Sequence, residues 1–192
     1  FGVGSVPNAP DYTGAIAEAI VFSKTFTANE RKQVDSYLAL KYGITLSTNG
    51  TSTDYLSSKT EVVWDPGNNS GYAFDMAGIA RDDYSALSQL KSHSINPNGA
   101  NYRDIVTIAN GANFASPSLF SNDESFFVWG HNDGGLINTG SIVNYPTDNG
   151  ETIQAIFSRE WKSQETGSVG TVTIEFDMSN VPVSVVFLEQ MI

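Results

Sequence analysis

The sequence predicts a mainly β chain: a β-sandwich, jelly-roll-like, with one short α-helix near residues 28–42. Three observations predict it. Short apolar runs recur between clusters of Gly, Pro, Asn, Asp and Ser. One run alternates with strict period two. Only one stretch carries complete helix punctuation.

The first element is Gly14 to Phe22, an apolar run that reads as a strand. A short polar link then leads to Thr27, which sits three residues before Glu30 in the S/T-x-x-E spacing that satisfies two amides at a helix start. Gly43 ends the helix, because glycine adopts the left-handed conformation at least cost. Val34, Tyr37, Leu38 and Tyr42 fall on one side and are the predicted docking stripe, with Arg31 and Asp35 as an i, i+4 pair elsewhere. A polar, turn-rich stretch from Ser47 to Thr53 follows, and the break near Leu46 divides the chain into residues 1–46 and 47–192. Beyond it, strands are expected over Glu61 to Trp64, Ala73 to Ile79, Asp104 to Ala109, Ser125 to Trp129, Thr152 to Phe157, Val169 to Phe176 and Val181 to Leu188. In the sixth of these, Gly170, Val172, Ile174 and Phe176 alternate with Thr171, Thr173 and Glu175, which predicts an apolar face turned inward and a polar face in water.

Composition narrows the function classes. With no Cys, disulfides, thiolate metal sites and thiol nucleophiles are all excluded. Ten basic against twenty-one acidic side chains give a formal net charge of −11, which repels phosphate backbones and anionic headgroups and suits divalent cations. Nucleic acid is therefore not an expected partner. No apolar run approaches the roughly 18–20 residues that span a bilayer, so no membrane insertion is expected. The last residues read as a strand with no turn after it, and the first lack the strands that would precede a closing helix. The expectation is a fragment of a longer polypeptide whose β-sandwich is cut short at its C-terminus.

Residues Gly14 to Phe22 and the helix through Tyr37-Leu38-Ala39-Leu40-Lys41-Tyr42-Gly43-Ile44 resemble the closing strand and helix of concanavalin-A-like, laminin-G-like β-sandwich domains. Downstream, Trp64-Asp65, Asp75 to Asp83, Phe127-Val128-Trp129-Gly130, Arg159-Glu160-Trp161-Lys162 and Phe176-Asp177-Met178-Ser179 resemble an uncharacterised β-rich domain that often follows it. The resemblance implies a setting in very long bacterial surface or adhesin-like proteins of Bacteroidota type, exported by the type IX route. It implies context and architecture, and no activity comes with it.

Reactive constellations are scarce in the sequence. His93 and His131 are the only near-neutral acid–base side chains, and neither lies in H-E-x-x-H or beside a G-x-S-x-G elbow. His93, in Lys91-Ser92-His93-Ser94, reads as a surface histidine. His131, before Asn132-Asp133-Gly134-Gly135, reads as turn-capping or ion-lining. Glu175 and Asp177 share a strand face, as the paired carboxylates of jelly-roll glycosidases do, but no third carboxylate follows in register and a solvent-facing strand end explains them. The acidic loops are better candidates: Asp65-Pro66-Gly67-Asn68-Asn69, Asp75, Asp82-Asp83, Asn122-Asp123-Glu124, Asn132-Asp133 and Asp148-Asn149-Gly150-Glu151. They read either as turns capped by Asp and Asn or as oxygen ligands for calcium. If one ion is held, the expected set is Asp75, Asp82 and Asp83, because adjacent carboxylates repel unless a cation or Arg81 offsets them. Trp64, Trp129 and Trp161 lie in strand-like runs and read as core. Tyr55, Tyr72, Tyr84, Tyr102 and Tyr145 lie in polar surroundings, and Tyr72, Tyr84 and Tyr102 are the expected ligand-stacking residues.

These readings lead to a non-enzymatic structural or adhesive module at the bacterial cell surface or outside the cell. Its expected partners are an extracellular glycan or protein surface and other domains of the same polypeptide. The alternative is a carbohydrate-binding module, possibly attached to a polysaccharide-degrading enzyme.

Overall fold

A computed structural model describes residues 14–95, 105–136, 145–146, 152–153 and 158–179. The architecture is mainly β and sandwich-like, with one α-helix, α1 (Ala28–Tyr42). The helix begins as its sequence dictates. The Thr27 hydroxyl accepts from the Glu30 amide while the Glu30 carboxylate accepts from the Thr27 amide at 2.9 Å. Gly43 closes it in the left-handed conformation, its N–H bonded to the Ala39 carbonyl.

The face that α1 buries is not the predicted stripe. Ser36, Ala39 and Leu40 are buried, whereas Val34, Tyr37, Leu38 and Tyr42 are only half-buried. The reason lies beneath the helix. A Cβ on Gly78 of β3 (Phe74–Asp82) would sit 2.4 Å from Leu40 Cδ2, so helix and strand approach at a distance that suits small residues. Tyr37 and Tyr42 use their hydroxyls instead, both bonded to Glu18. Among the described residues, the salt bridges of the helix run from Lys24 to Glu30, from Lys32 to Asp54 and from Lys41 to Glu18.

The strands form three layers. At the centre lies a four-stranded antiparallel sheet in the order β10 (Trp161–Thr166), β7 (Ser125–His131), β3, β4 (Leu87–Gln89). On one face, Met76, Ala80, Phe126 and Val128 pack against α1 and the short ladder of β1 (Tyr55–Leu56) and β2 (Val62–Trp64). On the other face, Ala77, Ile79 and Trp129 pack against Val106 and Ile108 of a three-stranded sheet. That sheet runs β11 (Val172–Phe176), β6 (Val106–Asn110), β5 (Lys91–His93). A further two-residue ladder joins β8 (Tyr145–Pro146) to β9 (Thr152–Ile153). Covered on both sides, β3 is buried along nearly its whole length, and its sequence is correspondingly apolar and small. Ala39, Leu40 and the partly buried Leu46 share one cluster with Tyr55, Trp64 and Met76, so the chain on both sides of Leu46 feeds the same core.

Two strand expectations differ from the structure. Residues 14 to 26 form no strand: Ile16 and Val21 are 70% and 77% exposed, and the segment is tied to α1 chiefly through Glu18. An apolar run becomes a strand only when a neighbouring backbone pairs with it. In β11, Val172 packs on the second core cluster, but Ile174 and Phe176 remain 44% and 41% exposed. Alternation fixes which side chains share a face. Whether that face is covered depends on the next layer. Val181 to Leu188 lie outside the described residues, as do most of the strand expected from Thr152 and the first residue, Asp104, of the strand expected to run to Ala109.

Candidate functional site

The chemistry-bearing side chains gather at the two ends of β3. At its start, Asp75 has φ 46° and sits where the register with β7 shifts between Phe74 and Ala77. This bulge turns a charged side chain into the interior, where Asp75 and His131 are both fully buried. Four hydrogen bonds organise them. Asp75 Oδ2 lies 2.9 Å from His131 Nε2, and Asp75 Oδ1 accepts from Asn49 Nδ2 at 2.8 Å. The Asp75 amide donates to Asn49 Oδ1 at 2.7 Å, and His131 Nδ1 accepts from the Asp133 amide at 2.9 Å. Because Nδ1 is an acceptor, the network assigns the ring proton to Nε2, which donates to Asp75. Phe74 stacks on the imidazole at 6.0 Å and Trp161 meets it edge-on at 6.3 Å, closing both sides. Both ring nitrogens are therefore engaged inside the protein.

At the other end of β3, Asp82 is also buried, yet its surroundings differ. Its carboxylate accepts from the Ser58 amide at 2.9 Å, the Ser58 hydroxyl at 2.5 Å and the Ser85 amide at 3.3 Å. One oxygen each from Asp82, Asp123 and Glu124 lies within 4.8 Å of the others. The counter-charge is Lys59, 58% exposed, at 3.2 Å from Asp123 and 3.5 Å from Glu124. The Asp83 amide donates to Asp123, the largest of the effects that hold the Asp123 carboxyl below its ordinary value. The hydrogen bond to Asp123 raises Lys59 in turn. Glu124, at φ 54°, keeps Oε2 buried with no hydrogen-bond partner among the described residues. Such a cluster can accept donors or hold a cation.

The predicted calcium set is not brought together. Asp75 and Asp82 are separated by most of β3, roughly 20 Å at the usual strand rise, and Asp75 is occupied by His131 and Asn49. Asp83 turns outward, where Arg81 grips both its oxygens at 2.8 Å and holds its carboxyl low. Asp82 instead joins Asp123 and Glu124. The sequence marked that loop as acidic, but the approach of two segments some forty residues apart has no local signal.

A groove of about 500 Å³ adjoins Asp82. Its walls are residues 18–26, α1 and the β3–β4 hairpin, and Ile20, Phe22, Phe26, Val34, Tyr37 and Leu87 make it largely apolar. Along the first wall, Glu18, Ile20, Phe22, Lys24 and Phe26 face the groove at every second residue, as an extended chain requires. Of the tyrosines expected to stack on a ligand, Tyr84 stands on this rim and is 83% exposed. Tyr72 lies elsewhere, beneath Lys162, with its hydroxyl donating to Glu160 at 2.8 Å and raised in pKa by that bond. Tyr102 lies outside the described residues. Tyr55 is a core residue, 1% exposed, whose hydroxyl accepts from the Leu46 amide. Trp64 and Trp129 are buried, Trp161 is half-buried, and His93, Glu175 and Asp177 are exposed.

No curated protein and no solved structure matches the chain. A family model does, over residues 30–191, and this span takes in all but the first two residues of α1 together with the described sheets. The segment 14–26 that walls the groove precedes the matched region. On that match, the chain belongs to the family described as Domain of unknown function (DUF8202).

Proposed function

We propose that the chain is a non-enzymatic structural or adhesive module of a large bacterial cell-surface or secreted protein. One observation carries this reading. His131, the histidine nearest to a carboxylate, has its lone pair committed to the Asp133 amide and its proton committed to Asp75, with no exposed surface on either side chain. A general base needs a free lone pair within reach of a substrate proton, and this ring offers none. Its hydrogen bonds tie the loop at Asn49, the bulge at Asp75 and the turn at Asp133 into one rigid corner, which suits a load-bearing or presenting domain. The test is turnover by the intact chain on a panel of polysaccharides, alongside Glu175→Gln and His131→Gln. No turnover is expected, and hydrolysis lost in either variant would overturn the reading.

A second reading, carbohydrate binding, is favoured by Tyr84, whose ring stands exposed on the rim of the groove. Glycan-array binding abolished in Tyr84→Ala would establish it. Equal binding by the variant would remove it.

A further inference from the structure

We propose that Asn49–Gly50 is a conformation-gated deamidation site: the folded corner at Asp75 protects the amide, and opening of that corner lets it convert permanently to a carboxylate. The fold itself requires this dipeptide. Asn49 is half-buried and meets Asp75 twice, its Oδ1 accepting from the Asp75 amide at 2.7 Å while its Nδ2 donates to the Asp75 carboxylate at 2.8 Å. The amide serves as acceptor and donor at once, and an ionised Asp has no donor to replace it. Gly50 has φ 87°, and a Cβ there would lie 2.5 Å from the Phe74 ring, so no side chain fits.

Asn before Gly is also the setting in which a side-chain amide is least durable, because the following nitrogen carries no Cβ neighbour to keep it from the carbonyl carbon. The step balances with water alone. The Gly50 nitrogen bonds to Asn49 Cγ, the Cγ–Nδ2 bond breaks, and the Gly50 amide proton leaves with Nδ2 as ammonia. Water then opens the cyclic imide at either carbonyl, giving Asp or isoaspartate. In the folded chain each participant is held. The two bonds to Asp75 fix the Asn49 side chain, and the Gly50 N–H donates to the Ala73 carbonyl at 2.9 Å, which keeps the proton on the attacking nitrogen. The Thr51 amide closes the turn on the Thr48 carbonyl at 2.7 Å, which fixes the backbone between them.

Once formed, the carboxylate does not fit the place the amide left. It has no N–H for Asp75 and sets a second negative charge against a carboxylate that is fully buried. Isoaspartate also lengthens the backbone by a methylene. An opening that is otherwise reversible then becomes permanent. Asn110–Gly111, the other such pair among the described residues, faces the Ser118 carbonyl and not a carboxylate.

The experiment incubates the intact chain in mildly alkaline buffer, native and in urea, and maps the amide-to-acid mass gain onto its peptides. Conversion at Asn49 should be at least roughly tenfold slower in the native chain, because its rate there scales with the fraction of time the corner is open. The urea-treated chain is then returned to buffer, and size exclusion separates the refolded chain from the expanded one. Asn49 should be intact in the first fraction and converted in the second. Asn49→Asp, made directly, should lower the melting midpoint, and the two wild-type fractions carry the test if that variant does not fold. Equal rates with and without urea, equal conversion at Asn49 in the two fractions, or an unshifted midpoint in Asn49→Asp would each overturn the proposal.

Discussion

Asp75 and Asp82 lie on one strand, both buried, and are treated in opposite ways. Around Asp75 every donor meets an acceptor: Asn49 and His131 serve the two oxygens, Asn49 takes the Asp75 amide, and Asp133 fills the last imidazole lone pair. Around Asp82, Asp123 and Glu124 crowd two further carboxylates against one exposed lysine, Glu124 Oε2 has no hydrogen-bond partner among the described residues, and an apolar groove opens beside Asp82. A buried polar group hardens a fold when its partners are complete, and it invites a ligand when they are not. The same residue type in the same strand thus closes a complete network at one end and borders an open groove at the other.

The largest expected effect tests the sealed end. His131→Ala leaves Asp75 buried without its main donor and opens a void, so chemical denaturation should show a loss of about 3–5 kcal/mol. A loss below about 1 kcal/mol would mean that the pair is not structural. Next comes Gly78→Ala, between the two ends, where the new methyl would meet Leu40 Cδ2 at 2.4 Å. Overpacking of about 1–3 kcal/mol is expected. The double variant with Leu40→Ala should be no less stable than Leu40→Ala alone, and full additivity would refute the contact. At the open end, Ser58→Ala removes one donor from Asp82 and leaves the two amides, so about 1 kcal/mol should be lost. If that loss matched the loss in His131→Ala, the contrast between the ends would collapse.

The smallest effects belong to the exposed helix start. Thr27→Ala should cost about 1 kcal/mol, the usual value of such a cap, measured by thermal denaturation. The hydrogen bond from Lys24, followed by those from Thr27, lowers the Glu30 carboxyl from 4.5 to about 2. A carboxyl depressed in the folded state stabilises above its unfolded value and loses that contribution on protonation. The helix start should therefore weaken as the pH falls from 4.5 towards 2. Glu30→Gln should flatten that part of the acid-denaturation curve. An unchanged curve would show that the carboxylate is idle.

Helix α1 was legible because its rules are local. Thr27, Glu30 and Gly43 act within a few residues of themselves, and the capping geometry appears as written. Its docking face was not, because Leu40 seats on Gly78 of β3 and the Ser36 hydroxyl accepts from the Leu56 amide of β1, contacts made far along the chain. Strand locations followed from apolar runs bounded by turns, and Trp64 and Trp129 are core residues as their surroundings implied. Tyr55 misled, since polar neighbours in sequence did not mean polar neighbours in space. The segment 14–22 misled for the converse reason: it has the residues of a strand but, among the described residues, pairs with no other strand. For the candidate sites, the acidic loops were visible singly. Their grouping depends on β3 passing between segments remote in sequence.

By itself the sequence determined the mainly β character, the helix and its caps, the acidic charge and the absence of thiol chemistry, because each rests on neighbouring residues or simple counts. Only the tertiary structure decided that Asp75 meets His131, that Asp82 meets Asp123 and Glu124, and that one acid is sealed while the other borders a groove. Pairing of distant strands sets those meetings, and burial sets their consequences, and neither is encoded within any single stretch of chain.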